Sequence, residues 1–479
     1  MCGIIGIFGY QDVAAELVFG LNGLQHRGQD AAGIITFADH FRIKKGLGLV
    51  DGVFDRAVLE RLQAPIGLGH VRYATQGTTD VHEAQPIYMN YPFGLAMVHN
   101  GNVINVSELK NRLRDEQNRV IETSNDLELI LCTLAANLES GDMKNLPVED
   151  VFAAVEATQR RVQGAYAVLT MIADRGMLAF TDPHGIRPLV VGKRITNQGT
   201  AWAFASETGA LEGIGFEVIR VLKAGEAVFI DSQRKFHSKV LFAKTPAFCI
   251  FEHIYFSRED SEIDGRLVAS ERVRMGKALA SGFREANIIP DVIIDVPSSA
   301  YFFASGMAEE LNVPYRRGLA KNKYVGRSFL LPTQARRDLA VRQKLNPIKP
   351  VIAGKKIAVL DDSIVRGTTS KHLVKLLRDG GAEKVYFASA APPIRHPCVY
   401  GIDMSISTEL IAANNSIDDI KRYLGADAVV FQKLEDLQAL YPQNEFCFGC
   451  FSGVYPTGIT PGLLQERERE RLSSKRREE

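Results

Sequence analysis

Apolar and polar positions in the first half of the chain fall into short runs broken by glycine. "GIIGIFG", "AAGIITFA", "IGLGHVRYAT" and "FGLAMVHNGNV" have the pattern of short strands. "NDLELILCTLAANLES" and "VEDVFAAVEATQRRV" instead repeat their apolar residues at helical spacing. Strands resume with "GAYAVLTMIA", "MLAFTD" and "RPLVVGKR". Near Phe236 the texture changes. "PDVIIDVP", "AYFFASGMAEELN", "KKIAVLDD", "TSKHLVKLLRDGG" and "KVYFASAAPP" alternate strand with helix, which predicts a parallel sheet with helices on its faces. The pattern divides the chain into two domains, 2–235 and 236–462. A charge-alternating tail over 463–479, "LLQERERERLSSKRREE", reads as a solvated helix or frayed end.

Length agrees with two domains, because 479 residues exceed what one hydrophobic core usually organises. Hydrophobic residues make up 46% and charged residues 24%, as in ordinary globular chains. The net charge of +1 provides no bulk field for nucleic acid or an anionic membrane, so neither is an expected partner. No apolar run is long enough to span a bilayer, and no signal-peptide pattern opens the chain. The expected compartment is the cytoplasm. There, six cysteines point to catalysis or metal more than to disulfides.

The most specific stretch of the second half is "KKIAVLDDSIVRGTTSKHLVKLL". A strand ends in Asp361 and Asp362. Ser363, Arg366, Gly367, Thr368, Thr369 and Ser370 then lead into a helix. Ligands of open α/β sheets bind at the carboxyl ends of strands, and a helix start suits a phosphate monoester. Paired acids suit a vicinal diol and Mg²⁺. A Thr/Ser helix cap explains one hydroxyl but not the acids together with three hydroxyls behind a glycine. There is no Walker loop.

"VLDDSIVRGTTS" resembles the phosphoribosyl pyrophosphate (PRPP) motif of phosphoribosyltransferases. "MCGIIGIFG", "LQHRGQDAAGI", "GHVRYATQG", "HNGN" and "TDPHGIRPL" resemble the N-terminal-nucleophile (Ntn) glutamine amidotransferase domain. Together, in this order, they resemble the glutamine phosphoribosylpyrophosphate amidotransferase family. The resemblance implies an N-terminal α/β/β/α Ntn-hydrolase sandwich and a C-terminal α/β phosphoribosyltransferase with a mainly parallel sheet. It implies an enzyme that makes 5-phosphoribosylamine from PRPP and glutamine, the first committed step of purine synthesis. Purine nucleotides are the implied feedback inhibitors, and a homo-oligomer, dimer or tetramer, the implied assembly. The alternatives are a salvage phosphoribosyltransferase with an idle first half, which the intact Cys2 constellation argues against, and a nucleotide-sensing regulator with a spent site.

The resemblance assigns roles residue by residue. Cys2 is the nucleophile once Met1 is removed, with its own α-amine as base; thiol and amine both titrate near working pH. Asn100 and Gly101 form the oxyanion hole. Arg72 clamps the α-carboxylate of glutamine, Asp126 holds its ammonium, and Arg27 supports the glutamine pocket. Lys323 and Arg327 belong to a basic segment, "NKYVGRSFLLPTQARRDLAVRQKLNP", that closes over PRPP. Ser299, Asp361 and Asp362 hold Mg²⁺. Ser298 stands where the family carries an aspartate, which puts one pyrophosphate or metal contact in doubt.

Cys132 lies among apolar helix positions and reads as a core thiol. Cys249, Cys398, Cys447 and Cys450 make a set of four that suits Zn²⁺ or a [4Fe–4S] cluster, and spacing does not choose. The resemblance implies the [4Fe–4S] cluster.

Overall fold

The computed structural model describes residues 1–73, 80–322, 345–404, 406–443, 445–460, 462–466, 468 and 469. The first half supplies β1 (Gly3–Phe8), β2 (Ala31–Phe37), β3 (Phe41–Leu47), β4 (Ile66–Arg72), β5 (Ile87–Met89), β6 (Leu95–Val103) and β7 (Gly164–Ile172). It continues with β8 (Gly176–Thr181), β9 (Val190–Thr196), β10 (Gly199–Ala205), β11 (Glu217–Val221), β12 (Glu226–Asp231) and β13 (Phe236–Val240). These form two antiparallel sheets, ordered β11-β9-β10-β1-β4-β2-β3 and β13-β12-β8-β7-β6-β5.

Side chains alternate across a strand, so a strand covered on both faces is apolar throughout. In β1, Ile4 and Phe8 enter the layer between the sheets with Leu68, Val98 and Leu169. Ile5 and Ile7 turn to the other face, against Leu17 and Leu21 of the helix Ala14–Gly23. That helix lies very close: a Cβ at Gly20 would stand 2.2 Å from Ile5 Cδ1. The outer face of the second sheet, through Met97, Tyr166 and Val168, packs on helices Leu127–Leu138 and Val148–Arg161. The layers are the expected α/β/β/α sandwich.

The second half contains a parallel sheet ordered Val292–Asp295, Lys356–Asp361, Lys384–Ser389, Ala428–Phe431. Ile293, Ala358 and Leu360 face helices Val268–Glu285 and Tyr301–Leu311. Ile294, Val359 and Phe387 face helices Thr368–Asp379 and Ile417–Leu424. Met1, Ile104, Ala165 and Ile186 of the first half join the core of the second, so one apolar body runs across the junction. Among the described residues no helix is long and apolar enough to cross a membrane.

Two boundaries differ from expectation. β13 pairs along β12, so the first domain continues through Val240 rather than ending before Phe236. Its half-exposed edge position gives it little apolar signal. The tail expected from 463 onward is docked where it is described. Leu464 packs against the core, and Glu468 accepts a hydrogen bond from the Ser407 N–H at 2.7 Å.

Candidate active sites

Register alone assembles the first site. Gly3 of β1 is the partner of Val71 on β4, which brings Cys2 beside the end of the strand carrying Arg72. The Cys2 Sγ lies 3.9 Å from the Tyr73 carbonyl oxygen. From the second sheet, β6 contributes Asn100, whose Oδ1 accepts from the Cys2 N–H at 3.2 Å. With its oxygen so used, the Asn100 Nδ2 is buried without a partner among the described residues. A buried orphan donor beside a nucleophile is what a developing oxyanion requires. Gly101 follows, where a Cβ would stand 1.9 Å from the Ala165 carbonyl oxygen across the ladder, so only glycine fits.

Asp126 sits just before helix Leu127–Leu138. It accepts from the Val103 N–H at 2.7 Å, and His99 Nε2 lies 3.4 Å away. Burial alone would raise its carboxyl, but His99 and the Val103 N–H outweigh burial and hold it below the usual range. His99 is in turn fixed by Gln85, whose Nε2 lies 2.8 Å from its Nδ1. Neither His99 nor Gln85 was foreseen. Arg72 is buried at the end of β4, one residue past Val71, the partner of Gly3.

Arg27 is the residue expected to support the glutamine pocket. Its guanidinium is fully buried and engaged by protein groups. Nε donates to the Cys2 carbonyl at 3.0 Å, Nη1 to Glu207 at 2.6 Å, and Nη1 and Nη2 to the two oxygens of Glu252 at 2.9 Å each. Arg27 therefore holds the main chain of Cys2.

The second site lies at the carboxyl end of Lys356–Asp361. Burial and the neighbouring Asp362 push the Asp361 carboxyl well up. Burial raises Asp362 too, against hydrogen bonds from Ser299 at 2.5 Å and Ser363 at 2.7 Å. Two adjoining acids in this state gain from any cation or diol that approaches them. Gly367 takes φ 73° before helix Thr368–Asp379, where a Cβ would also stand 2.7 Å from Ile411 Cδ1. The N-cap residue is Gly367, which has no side chain with which to cap the helix. Arg366 differs from expectation: its guanidinium is paired with Glu409 at 2.5 Å and stands 3.6 Å from Asp403. Lys321 Nζ donates to Ser298 Oγ at 3.1 Å. Lys323 and Arg327 lie outside the described residues.

Cys249, Cys398, Cys447 and Cys450 are buried free thiols that come together from separate stretches. Cys249 and Cys447 are direct partners in a short parallel bridge. Burial raises the thiols of Cys249, Cys447 and Cys450; Cys398 adds to the rise at all three, Cys249 at Cys447, and Cys447 and Cys249 at Cys450. Among the described residues, no three His, Cys, Asp or Glu side chains are placed to hold a single metal ion. A tetrahedral zinc ion with bonds of about 2.3 Å would need such a tight set. Four buried thiols drawn from separate stretches are the kind of donor set that thiolate-bound metal groups use. Cys132 is separate, buried in the first domain's core, its thiol pushed up by burial to about 11.

The two sites meet. Asn102 Nδ2, next to the oxyanion residues, donates to the Val399 carbonyl at 2.8 Å. A Cβ at Gly401 would stand 2.8 Å from the Gly101 carbonyl oxygen. Arg187 donates through Nε to the Tyr400 carbonyl at 3.1 Å.

Comparison with known proteins agrees with this pairing. A glutamine amidotransferase domain model matches residues 70–213, and a phosphoribosyl transferase domain model matches residues 270–400. These define the class: a glutamine amidotransferase joined to a phosphoribosyltransferase. The amidophosphoribosyltransferase of Pasteurella multocida is 46% identical, over 100% of this chain and 98% of its own. That of Haemophilus influenzae is 46% identical, over 97% and 95%. A solved structure, glutamine PRPP amidotransferase from B. subtilis complexed with ADP and GMP, superposes with TM-score 0.85 at 36% identity, covering 96% of this chain and 98% of that one. The chain belongs to the amidophosphoribosyltransferase family, the glutamine-dependent, PRPP-using enzymes of purine biosynthesis.

Proposed function

We propose that the chain converts PRPP, glutamine and water to 5-phosphoribosylamine, glutamate and pyrophosphate. Removal of Met1 frees the Cys2 α-amine at the position now held by its N–H. That amine takes the thiol proton, and the thiolate attacks the side-chain carbonyl carbon of glutamine. Negative charge gathers on the amide oxygen and is met by Asn100 Nδ2 and the Gly101 N–H. The C–N bond breaks, ammonia leaves with the proton, and water then cleaves the thioester to glutamate. Arg72 and Asp126 orient the substrate by its α-carboxylate and α-ammonium.

Ammonia then displaces pyrophosphate from C1 of PRPP. The open start of helix Thr368–Asp379 takes the 5-phosphate, and Asp361 and Asp362 take the ribose diol. Mg²⁺, when bound, neutralises pyrophosphate charge, and Ser299, Asp361 and Asp362 are the residues that would hold it. The four buried cysteines would hold a [4Fe–4S] cluster as a cross-link, since the reaction is not a redox one. Purine nucleotides inhibit by occupying the PRPP site; the B. subtilis relative bound to ADP and GMP supports this. The working form is a cytoplasmic homo-oligomer, a dimer or tetramer.

The observation that carries the reading is the orphaned Asn100 Nδ2 beside Cys2. The test is to supply PRPP with glutamine or with ammonia and to measure glutamate and pyrophosphate. Cys2→Ala is expected to lose glutamine-dependent synthesis and to retain ammonia-dependent synthesis at alkaline pH. A folded variant lacking both would overturn the division of labour.

A further inference from the structure

We infer that Glu252 is a positioning residue for glutamine hydrolysis: from beyond the amidotransferase sheets it aims Arg27, and through Arg27 it fixes the main chain of Cys2. The inference rests on the reading of Cys2 as the nucleophile. Glu252 opens the short helix Glu252–Phe256, just after Cys249, and lies past the last strand of the first domain. Its side chain is 0% exposed, as is that of Arg27. Its two oxygens take Nη1 and Nη2 of Arg27 at 2.9 Å each, a paired contact that fixes the plane of the guanidinium. The third nitrogen, Nε, then points to the Cys2 carbonyl at 3.0 Å.

Glu207 does not provide the same aim. Only its Oε1 meets Arg27, while Oε2 takes the Arg258 N–H at 3.0 Å and the Ser261 hydroxyl at 2.8 Å. A single contact leaves the guanidinium free to rotate about it; a paired one does not. Glu252 is itself held by Ser257 Oγ at 2.9 Å and approached by Arg187 Nη1 at 3.4 Å. Arg187 also holds the Tyr400 carbonyl, so the groups that orient Glu252 reach the loop packed on Gly101 and Asn102. Nucleophile and oxyanion hole are thus set from the same side, by residues of the second half.

The test compares wild type, Glu252→Asp, Glu252→Gln and Cys2→Ala. Glu252→Asp keeps the charge but is one methylene too short to meet both nitrogens while anchored at Ser257. Misplacing a reacting group by about 1 Å can cost about 100-fold in rate. The expected result is therefore a kcat for glutamine about 100-fold lower in Glu252→Asp, with unchanged KM for glutamine and unchanged ammonia-dependent synthesis. Arg27→Lys combined with Glu252→Asp should lose no more than Arg27→Lys alone, because both changes act on one contact. Unchanged glutamine kcat in a Glu252 variant overturns the inference. So does a parallel fall of glutamine- and ammonia-dependent synthesis in Glu252→Asp, which marks a general structural role. Equal glutamate release by wild type and Cys2→Ala would instead sink the nucleophile reading, and this inference with it.

Discussion

Asn100 turns its amide oxygen to the Cys2 peptide nitrogen at 3.2 Å and leaves its amide nitrogen buried with nothing to donate to among the described residues. The single hydrogen bond decides which end of the amide faces the substrate.

Asn100→Ala removes that donor. The glutamine-dependent kcat is expected to fall about 10²–10³-fold, with ammonia-dependent synthesis intact. Steady-state kinetics with both nitrogen sources check this. An equal fall with ammonia would assign Asn100 to the fold instead.

Asp361→Asn should impair PRPP use and spare slow glutamine hydrolysis. It also has a stability signature. Burial and Asp362 raise the Asp361 carboxyl, so the folded state keeps a proton that the unfolded chain sheds. That contribution is complete below the ordinary carboxylate range and is lost as pH rises through the folded value. Without ligands at pH 8, Asp361→Asn should therefore melt above wild type. A lower melting point would refute the electrostatic account.

His253 is fully buried against Phe248, Tyr441 and Phe446, and neither ring nitrogen has a partner among the described residues. Burial pushes it down to about 4. A depressed histidine leaves stability complete above the unfolded value of about 6.5 and erodes it as pH falls toward the folded one. At pH 5 the cost should be about 2 kcal/mol relative to pH 7. His253→Phe should lose less over the same interval in urea titrations. Parallel losses in the two proteins would remove His253 from the acid response.

Cys447→Ser should give colourless, poorly folded chain, whereas Cys132→Ser should stay brown and active. Iron and acid-labile sulfide are expected at about four each per chain. Anaerobically purified protein with stoichiometric zinc and no iron would overturn the cluster assignment.

Much of this was legible in the sequence, for physical reasons. The unbroken apolar run "GIIGIF" reports a strand buried on both faces, and the acids ending "KIAVLDD" report a strand's carboxyl end. The helix Ala14–Gly23 was not foreseen: its glycines, of which Gly20 is needed for close approach to Ile5, weaken the helical signal. β13 escaped because a half-exposed edge strand carries little pattern. The partners of Arg27 were hidden for another reason. Glu207 and Glu252 stand 180 and 225 positions away in sequence, and nothing local marks a carboxylate as belonging to a distant arginine. Arg366 was placed on the phosphate from its motif, but its pairing with Glu409 depends on a loop 43 residues on.

The bond from Asn102 to the Val399 carbonyl, with Gly401 set against the Gly101 carbonyl oxygen, limits how this chain can be recombined. A chimera joined between β13 and Cys249 would graft one relative's amidotransferase onto another's phosphoribosyltransferase. The graft would have to preserve a glycine at 401, since any Cβ there collides with the other parent's backbone. It would also have to keep the path of the main chain at 399, which takes a hydrogen bond from the donor half. Hybrids between relatives should therefore work only when the second parent keeps that glycine and that main-chain path, although 399 lies 297 positions from Asn102.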